Sequence, residues 1–224
     1  HQSEHLVVKQ RDERGLVDYE ALKQDPSSLN AFLTYVAAFS PDSAPDRFPS
    51  AASRLAYYLN VYNALVLYAV TDSDARPKDE KRFYRRTKMM VGGSLLTLSD
   101  IEESITELKD ARAYFALCGG AKGHPRLGPV PYEAGTLEAQ LDKAARDFLS
   151  DPRNVAVDRA KKVVRLSEVL RRHKKVLLDR AETLAPLTQA LIAALTWRGA
   201  FLALGWRAAA ALLPLTTLLL PRSA

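Results

Sequence analysis

The stretch "YFALCGGAKGHP", residues 114–125, gathers side chains that can do chemistry. Cys118 is the only cysteine of the chain, and His124 is one of four histidines. Between them lie Gly119, Gly120, Lys122 and Gly123. Three roles suit such a loop. A thiol and an imidazole form a nucleophile–base pair when they approach within roughly 2.6–3.2 Å and a third group orients the base. Glu102, Glu103, Asp110, Asn60 and Asn63 are the candidates for that third position. Glycines around a lysine also let backbone N–H groups approach a phosphate. However, "GGAKG" lacks the G-x-x-x-x-G-K-[ST] spacing, and no Ser or Thr follows Lys122 to hold magnesium. The third role is a tight turn around a core thiol, the commoner fate of a lone cysteine after an apolar run.

Something must position this loop. "SAASRLAYYLNVYNALVLYAV" is the longest helical signal, with Leu55, Leu59, Tyr62 and Val66 on one stripe and Val61, Leu65 and Tyr68 on another. A helix apolar on most sides is packed by neighbours all round. Asn60 and Asn63 interrupt it three residues apart, on one face. Buried amides need partners, since an unpaired one costs about 1–3 kcal/mol. The two asparagines are therefore expected to face the 117–125 loop and bond its backbone.

Around this helix the sequence places a short helix, a break at Pro26, and a second helix capped by Ser27 or Ser28. "KMMVGGSLLTL" reads as two strands about a Gly92-Gly93 turn. "SDIEESITEL" starts a helix with Ser99 and Glu102 in capping-box spacing, a structural task for Glu102. "ARAYFALC" reads as a buried strand, "TLEAQLDKAARDFL" as an amphipathic helix, "NVAVDRAKKVVRL" as a hairpin and "SEVLRRHKKVLLDR" as a basic helix. The expected fold is α+β: mostly helical, with a central buried helix and a small, mainly antiparallel sheet of strands near 88–97, 112–117 and 154–166. A single globular domain is expected over 1–182.

Residues 183–224 form an Ala/Leu-rich tail in which 183–220 read as two or three apolar helices, broken near Gly199, Gly205 and Pro214. Uncharged runs stop at Arg198 and Arg207, short of the ~20 residues of a spanning helix. A membrane surface or a second copy of the chain is the candidate partner of this tail. The net charge of +6 is uneven. Residues 76–88 carry seven Lys/Arg against two acids, and residues 159–180 nine against two. Such runs usually form solvated helix faces. No aromatics interleave the second island, so no sequence-specific nucleic acid is expected as partner. One cysteine excludes an internal disulfide and any multi-thiolate zinc site. No metal or cofactor is expected.

Several stretches together resemble the domain of unknown function 547 family: "YYLNVYNAL", "VGGSLLTLSDIE", "DARAYFALCGGAKGHP" and "LEAQLDKAARDFL", with "VDYEAL" upstream and "VVRLSEVL" downstream. The resemblance covers about residues 16–175. It implies an uncharacterised protein, exported to the bacterial cell envelope or periplasm. A papain-like thiol chemistry is suggested by the family's Cys and His positions. The loop pattern of the family is similar to H-F-A-L-N-C-G-A-K-S-C-P-P. Here Tyr114 stands for the histidine, Cys118 for Asn, Gly119 for the first Cys and His124 for the Cys before Pro. A further family histidine after "DIE" is Glu103. Asp110, Arg112, Phe115, Gly120, Ala121, Lys122 and Pro125 match the pattern.

The resemblance thus implies kept scaffold residues and replaced chemical ones. The expected function is that of a non-catalytic or altered-activity member, binding a ligand or protein partner at a cleft around residues 117–125. The binding candidates are Asn60, Asn63, Arg112, Gly120 and Lys122. The alternative is a hydrolase or transferase with Cys118, His124 and Glu102 as catalytic residues. A membrane-associated accessory protein acting through the tail is the third reading.

Overall fold

The computed structural model describes residues 9–72, 80–121, 123–158 and 163–179. The expectations for Lys122 and for the 183–224 tail lie outside these residues. The chain forms two compact units, His1–Ala144 and Ala145–Ala224.

In the first unit, α1 (Tyr19–Gln24) is capped by Asp18, whose carboxylate accepts from the Ala21 N–H at 3.0 Å. The next helix, α2 (Ser27–Ala38), starts at Ser27. Its upstream polar contact comes from Asp25, which accepts from both the N–H and the hydroxyl of Ser27. α3 (Ala51–Asp72) is the central helix, and every residue from Leu55 to Leu67 is buried. More than three turns without an exposed side chain leave no solvent face, and α1, α2 and α5 (Leu98–Glu107) all pack against it. Ser50 and Ser53 cap its start reciprocally, each hydroxyl accepting from the other's backbone N–H at 3.0 Å.

After α4 (Glu80–Arg85), β1 (Lys88–Val91) and β2 (Ser94–Thr97) form the expected antiparallel hairpin, with Val91 opposite Ser94. Gly92 and Gly93 turn it with φ of +57° and +83°, the left-handed pair that a two-residue hairpin turn requires. Their N–H groups donate to Val36 and Ala37 carbonyls at 2.8 and 2.9 Å, so the turn also satisfies the end of α2. A Cβ on Gly92 would lie 2.2 Å from the Ser40 hydroxyl oxygen.

Three local expectations are corrected. The capping box of α5 pairs Thr97 with Asp100, not Ser99 with Glu102. Strand β2 delivers Thr97 in extended geometry directly to the helix, so the helix begins two residues earlier than expected. Residues 112–117 are not a strand: Ala111–Phe115 is a 3-10 helix. Asp110 caps it by accepting from the Arg112 N–H at 2.9 Å, and its apolar side chains are buried on several sides. An apolar run of this length does not by itself separate strand from helix. The basic helix is interrupted at His173, giving α7 (Glu168–Arg172) and α8 (Lys174–Asp179). The bonds from His173 N–H to Val169 and from Leu177 N–H to His173, both 3.0 Å, carry the helical pattern across the break.

The amphipathic α6 (Leu137–Ser150) buries Leu137, Leu141, Ala145, Phe148 and Leu149. In the second unit, β3 (Val155–Asp158) pairs antiparallel with β4 (Val163–Leu166). Asn154 ties the hairpin base by donating to Phe148 C=O at 3.0 Å and accepting from Ser167 N–H at 2.7 Å. The fold is α+β and mostly helical, with its described strands in two separate two-stranded hairpins. Among the described residues, no helix is long and apolar enough to cross a membrane.

Candidate functional site

Asn60 and Asn63 each use a whole amide as a two-point clamp on backbone. Asn63 donates to the Ala116 carbonyl at 3.1 Å and accepts from the Cys118 N–H at 2.8 Å. Asn60 donates to the Tyr132 carbonyl at 2.8 Å and accepts from the Tyr132 N–H at 2.9 Å. Asn63 therefore holds the entrance of the glycine loop, as expected from the sequence. Asn60 departs from the expectation, because it grips the chain beyond the loop, at residue 132. Both ends of the 116–132 segment are thus fastened to one face of α3. A void of about 20 Å³, the size of a single water, lies between the amides and residues 127–132.

Cys118 is buried. Burial pushes its thiol above the ordinary 9.0, and the Gly120 backbone N–H offsets this only in part. Gly120 adopts φ +70°, so the loop reverses there in a conformation that glycine enters freely. Gly119 is required for a different reason. A Cβ at this position would lie 1.5 Å from His124 Nδ1, so the imidazole occupies the place of a side chain at 119. The His124 N–H closes the loop on the Ala121 carbonyl at 3.0 Å.

Tyr84, buried on α4, donates its hydroxyl to the Gly119 carbonyl at 2.9 Å. Its ring lies parallel to the His124 imidazole, with centroids 6.5 Å apart. Tyr19 on α1 completes the cluster: burial, then the nearby Cys118 and Tyr84, raise its phenol above 10.0. The structure therefore gathers Tyr19, Tyr84, Cys118, Gly119 and His124. Neither tyrosine stood out in the sequence as a site residue. The signal for Tyr84 was the pair Phe83-Tyr84 inside the basic run "KRFYRR", two aromatics that are both buried here.

Arg112 is the hub of an ion-pair network. It pairs with Asp110 through two bonds of 3.0 and 2.7 Å, and reaches Glu138 at 2.7 Å and Asp142 at 2.9 Å. The Asp110 hydrogen bonds, followed by those of the other carboxylates, outweigh burial and raise the guanidinium pKa. This arginine ties the 3-10 segment to the start of α6, and Asp110 is committed to it. Glu102 is half-buried on α5, where its charge helps burial to raise the Tyr114 phenol, while Glu103 is exposed. The Tyr114 hydroxyl lies 2.6 Å from that of Thr106. Among the described residues, no group of three or more His, Cys, Asp or Glu side chains could hold a metal ion.

A buried helix that straps a glycine loop with two asparagine amides defines a mostly helical α+β domain with one polar seam. Residues 47–149 match the family described as protein of unknown function, DUF547. The match contains both asparagines, the loop, Arg112 and Tyr132, and is shorter than the resemblance over 16–175. No curated protein and no solved structure matches the chain. The positions at which the resembled pattern has its two loop cysteines, 119 and 124, are spatial neighbours here, and one imidazole fills the space between them.

Proposed function

We propose that this chain is a binding member of its family without thiol chemistry. It takes a small ligand or a partner's polar group at the 116–124 loop. The observation that carries this reading is the state of Cys118: buried, raised above the ordinary thiol value by that burial, and set beside a glycine rather than a second thiol. At neutral pH such a group is a neutral thiol, and the thiolate is the nucleophilic form. The remaining chemical face of the loop belongs to the half-buried His124 imidazole, with Tyr84 fixing the Gly119 carbonyl behind it. An imidazole carries both a donor and an acceptor nitrogen, which suits recognition of a polar group.

Alkylation of the full chain by iodoacetamide at about pH 7, read by intact mass, tests this reading. Cys118 is expected to react at least tenfold more slowly than a free thiol, and equally slowly in His124→Ala. Rapid alkylation that disappears in His124→Ala would establish an activated Cys–His pair and with it the hydrolase or transferase alternative.

A further inference from the structure

Among the described residues, the exposed large apolar side chains are Leu16, Met90, Leu95 and Val130. Such residues standing singly are ordinary, but two of these face each other. Met90 on β1 and Leu95 on β2 are direct cross-strand partners, 44% and 58% exposed. They stand next to the Val91–Ser94 pair that closes the two-residue turn. The position beside a closing pair is the non-hydrogen-bonded kind, in which opposed side chains approach more closely. The two therefore form one apolar knob near the tip of the hairpin.

The other face of β1 is committed to the fold. Met89 and Val91 are buried, α2 packs against β1, and the turn glycines donate to the Val36 and Ala37 carbonyls. The hairpin is braced from behind, and its outer face is presented to solvent.

That outer face also carries cations. Side chains alternate along a strand at about 3.3 Å per residue, so Lys88 shares the face of Met90 about 7 Å away. Arg85 and Arg86, at the end of α4 and just before β1, are exposed and make no ion pair among the described residues. Asp100 carries an opposing charge. Its carboxylate accepts from the Thr97 N–H at 2.7 Å and from the Thr97 hydroxyl at 2.8 Å, and Lys88 adds to their lowering of its pKa. This acid is engaged in the α5 cap, and neither arginine has a counterion.

An apolar knob beside arginines matches the two layers of an anionic bilayer surface, negative head groups above and acyl chains beneath. A single-stranded nucleic acid would need exposed rings on which to stack its bases, and Phe83 and Tyr84, the aromatics of this basic run, are buried. We propose that the β1–β2 hairpin is a membrane-surface contact: Met90 and Leu95 enter the acyl layer of an anionic bilayer while Arg85, Arg86 and Lys88 meet lipid phosphates. The contact needs no spanning helix and does not depend on the loop reading.

Sedimentation of the full chain with vesicles tests the proposal, using phosphatidylglycerol mixed into phosphatidylcholine, and phosphatidylcholine alone. Binding to the anionic vesicles is expected to be at least tenfold tighter than to the neutral ones. Met90→Ser with Leu95→Ser should lower the anionic-vesicle affinity at least fivefold, and Arg85→Gln with Arg86→Gln at least tenfold. Absence of binding, equal binding to both vesicles, or an affinity unchanged in either double variant would each overturn the proposal. The last result would assign lipid binding to another segment, since residues 180–224 are present in every variant. A short DNA duplex bound more tightly than the anionic vesicles, and equally well after Met90→Ser with Leu95→Ser, would also overturn it, in favour of a nucleic-acid surface. Should a double variant fail to fold by circular dichroism, Leu95→Ser alone decides. A loss of twofold or more supports the hairpin contact, and an unchanged affinity overturns it.

Discussion

Asn60 and Asn63 are the same residue type on the same buried helix, one turn apart, and each satisfies one backbone donor and one acceptor. What they hold differs. Asn63 grips the entrance of a loop whose surroundings are polar: a thiol, an imidazole and two phenols. Asn60 grips a residue whose ring joins an aromatic wall. The contrast shows that a buried amide need not mark chemistry. It fixes a backbone, and the side chains carried by that backbone determine what the region can do.

The comparison is tested first where the largest effect is expected. Asn60→Leu and Asn63→Leu each leave a buried N–H and C=O without a partner, at about 1–3 kcal/mol per group, so each should lose roughly 2–6 kcal/mol in urea denaturation. Their second readouts should separate. Asn63→Leu should speed Cys118 alkylation, whereas Asn60→Leu should leave it slow. If both variants sped alkylation equally, the two ends would be one unit and the distinction would fail.

The division between legible and illegible features follows the same line. Periodicity marked α3, and two polar interruptions at helical spacing marked the clamps, because an amide inside an apolar helix demands a partner. The Gly92-Gly93 turn was legible because few other pairs adopt its backbone. The 3-10 segment was not. "ARAYFALC" carries an apolar run but no cue that Asp110 would bond forward to Arg112. Nor could the partner of Asn60 be read, because Tyr132 lies 72 residues away and its neighbours have no periodic pattern. The aromatic wall beside Asn60 was hidden for a related reason: its rings, Phe32 and Tyr35, Phe48, Tyr57 and Tyr132, come from four separate stretches, each unremarkable alone.

A smaller effect distinguishes two glycines within the loop. A Cβ at Gly119 would lie 1.5 Å from His124 Nδ1, 2.2 Å from its Cε1 and 2.5 Å from its Cγ, so the ring must leave for alanine to enter. A Cβ at Gly123 meets nothing within 4 Å. Gly119→Ala should therefore cost about 1–3 kcal/mol as an overpacked site and shift the His124 ring signals in NMR. Gly123→Ala should do neither. An unmoved His124 signal in Gly119→Ala would place the imidazole away from the loop and remove the main polar feature of that end.

The smallest effect concerns alkaline pH, where the two ends should weaken in sequence. Burial raises the Cys118 thiol above 9.0, and it raises the Tyr57 phenol, at the Asn60 end, above 10.0. In both cases the folded chain keeps a proton that the unfolded chain releases. The stabilisation is therefore complete below the ordinary pKa and is lost as pH climbs towards the folded value. Each such group contributes a fall of up to about 1.4 kcal/mol per pH unit. The thiol should act first, because its ordinary value lies below that of a phenol. Cys118→Ala removes this early component and leaves the phenols in place. Urea midpoints measured from about pH 7 to pH 10 should show a constant difference between the natural chain and Cys118→Ala up to about pH 8.5. The difference should then move against the natural chain as pH rises further towards 10. A difference that stayed flat to pH 10 would mean that the thiol ionises alike in folded and unfolded chains. The loop end would then be open to water, and Cys118 would be available to the chemistry that its burial argues against.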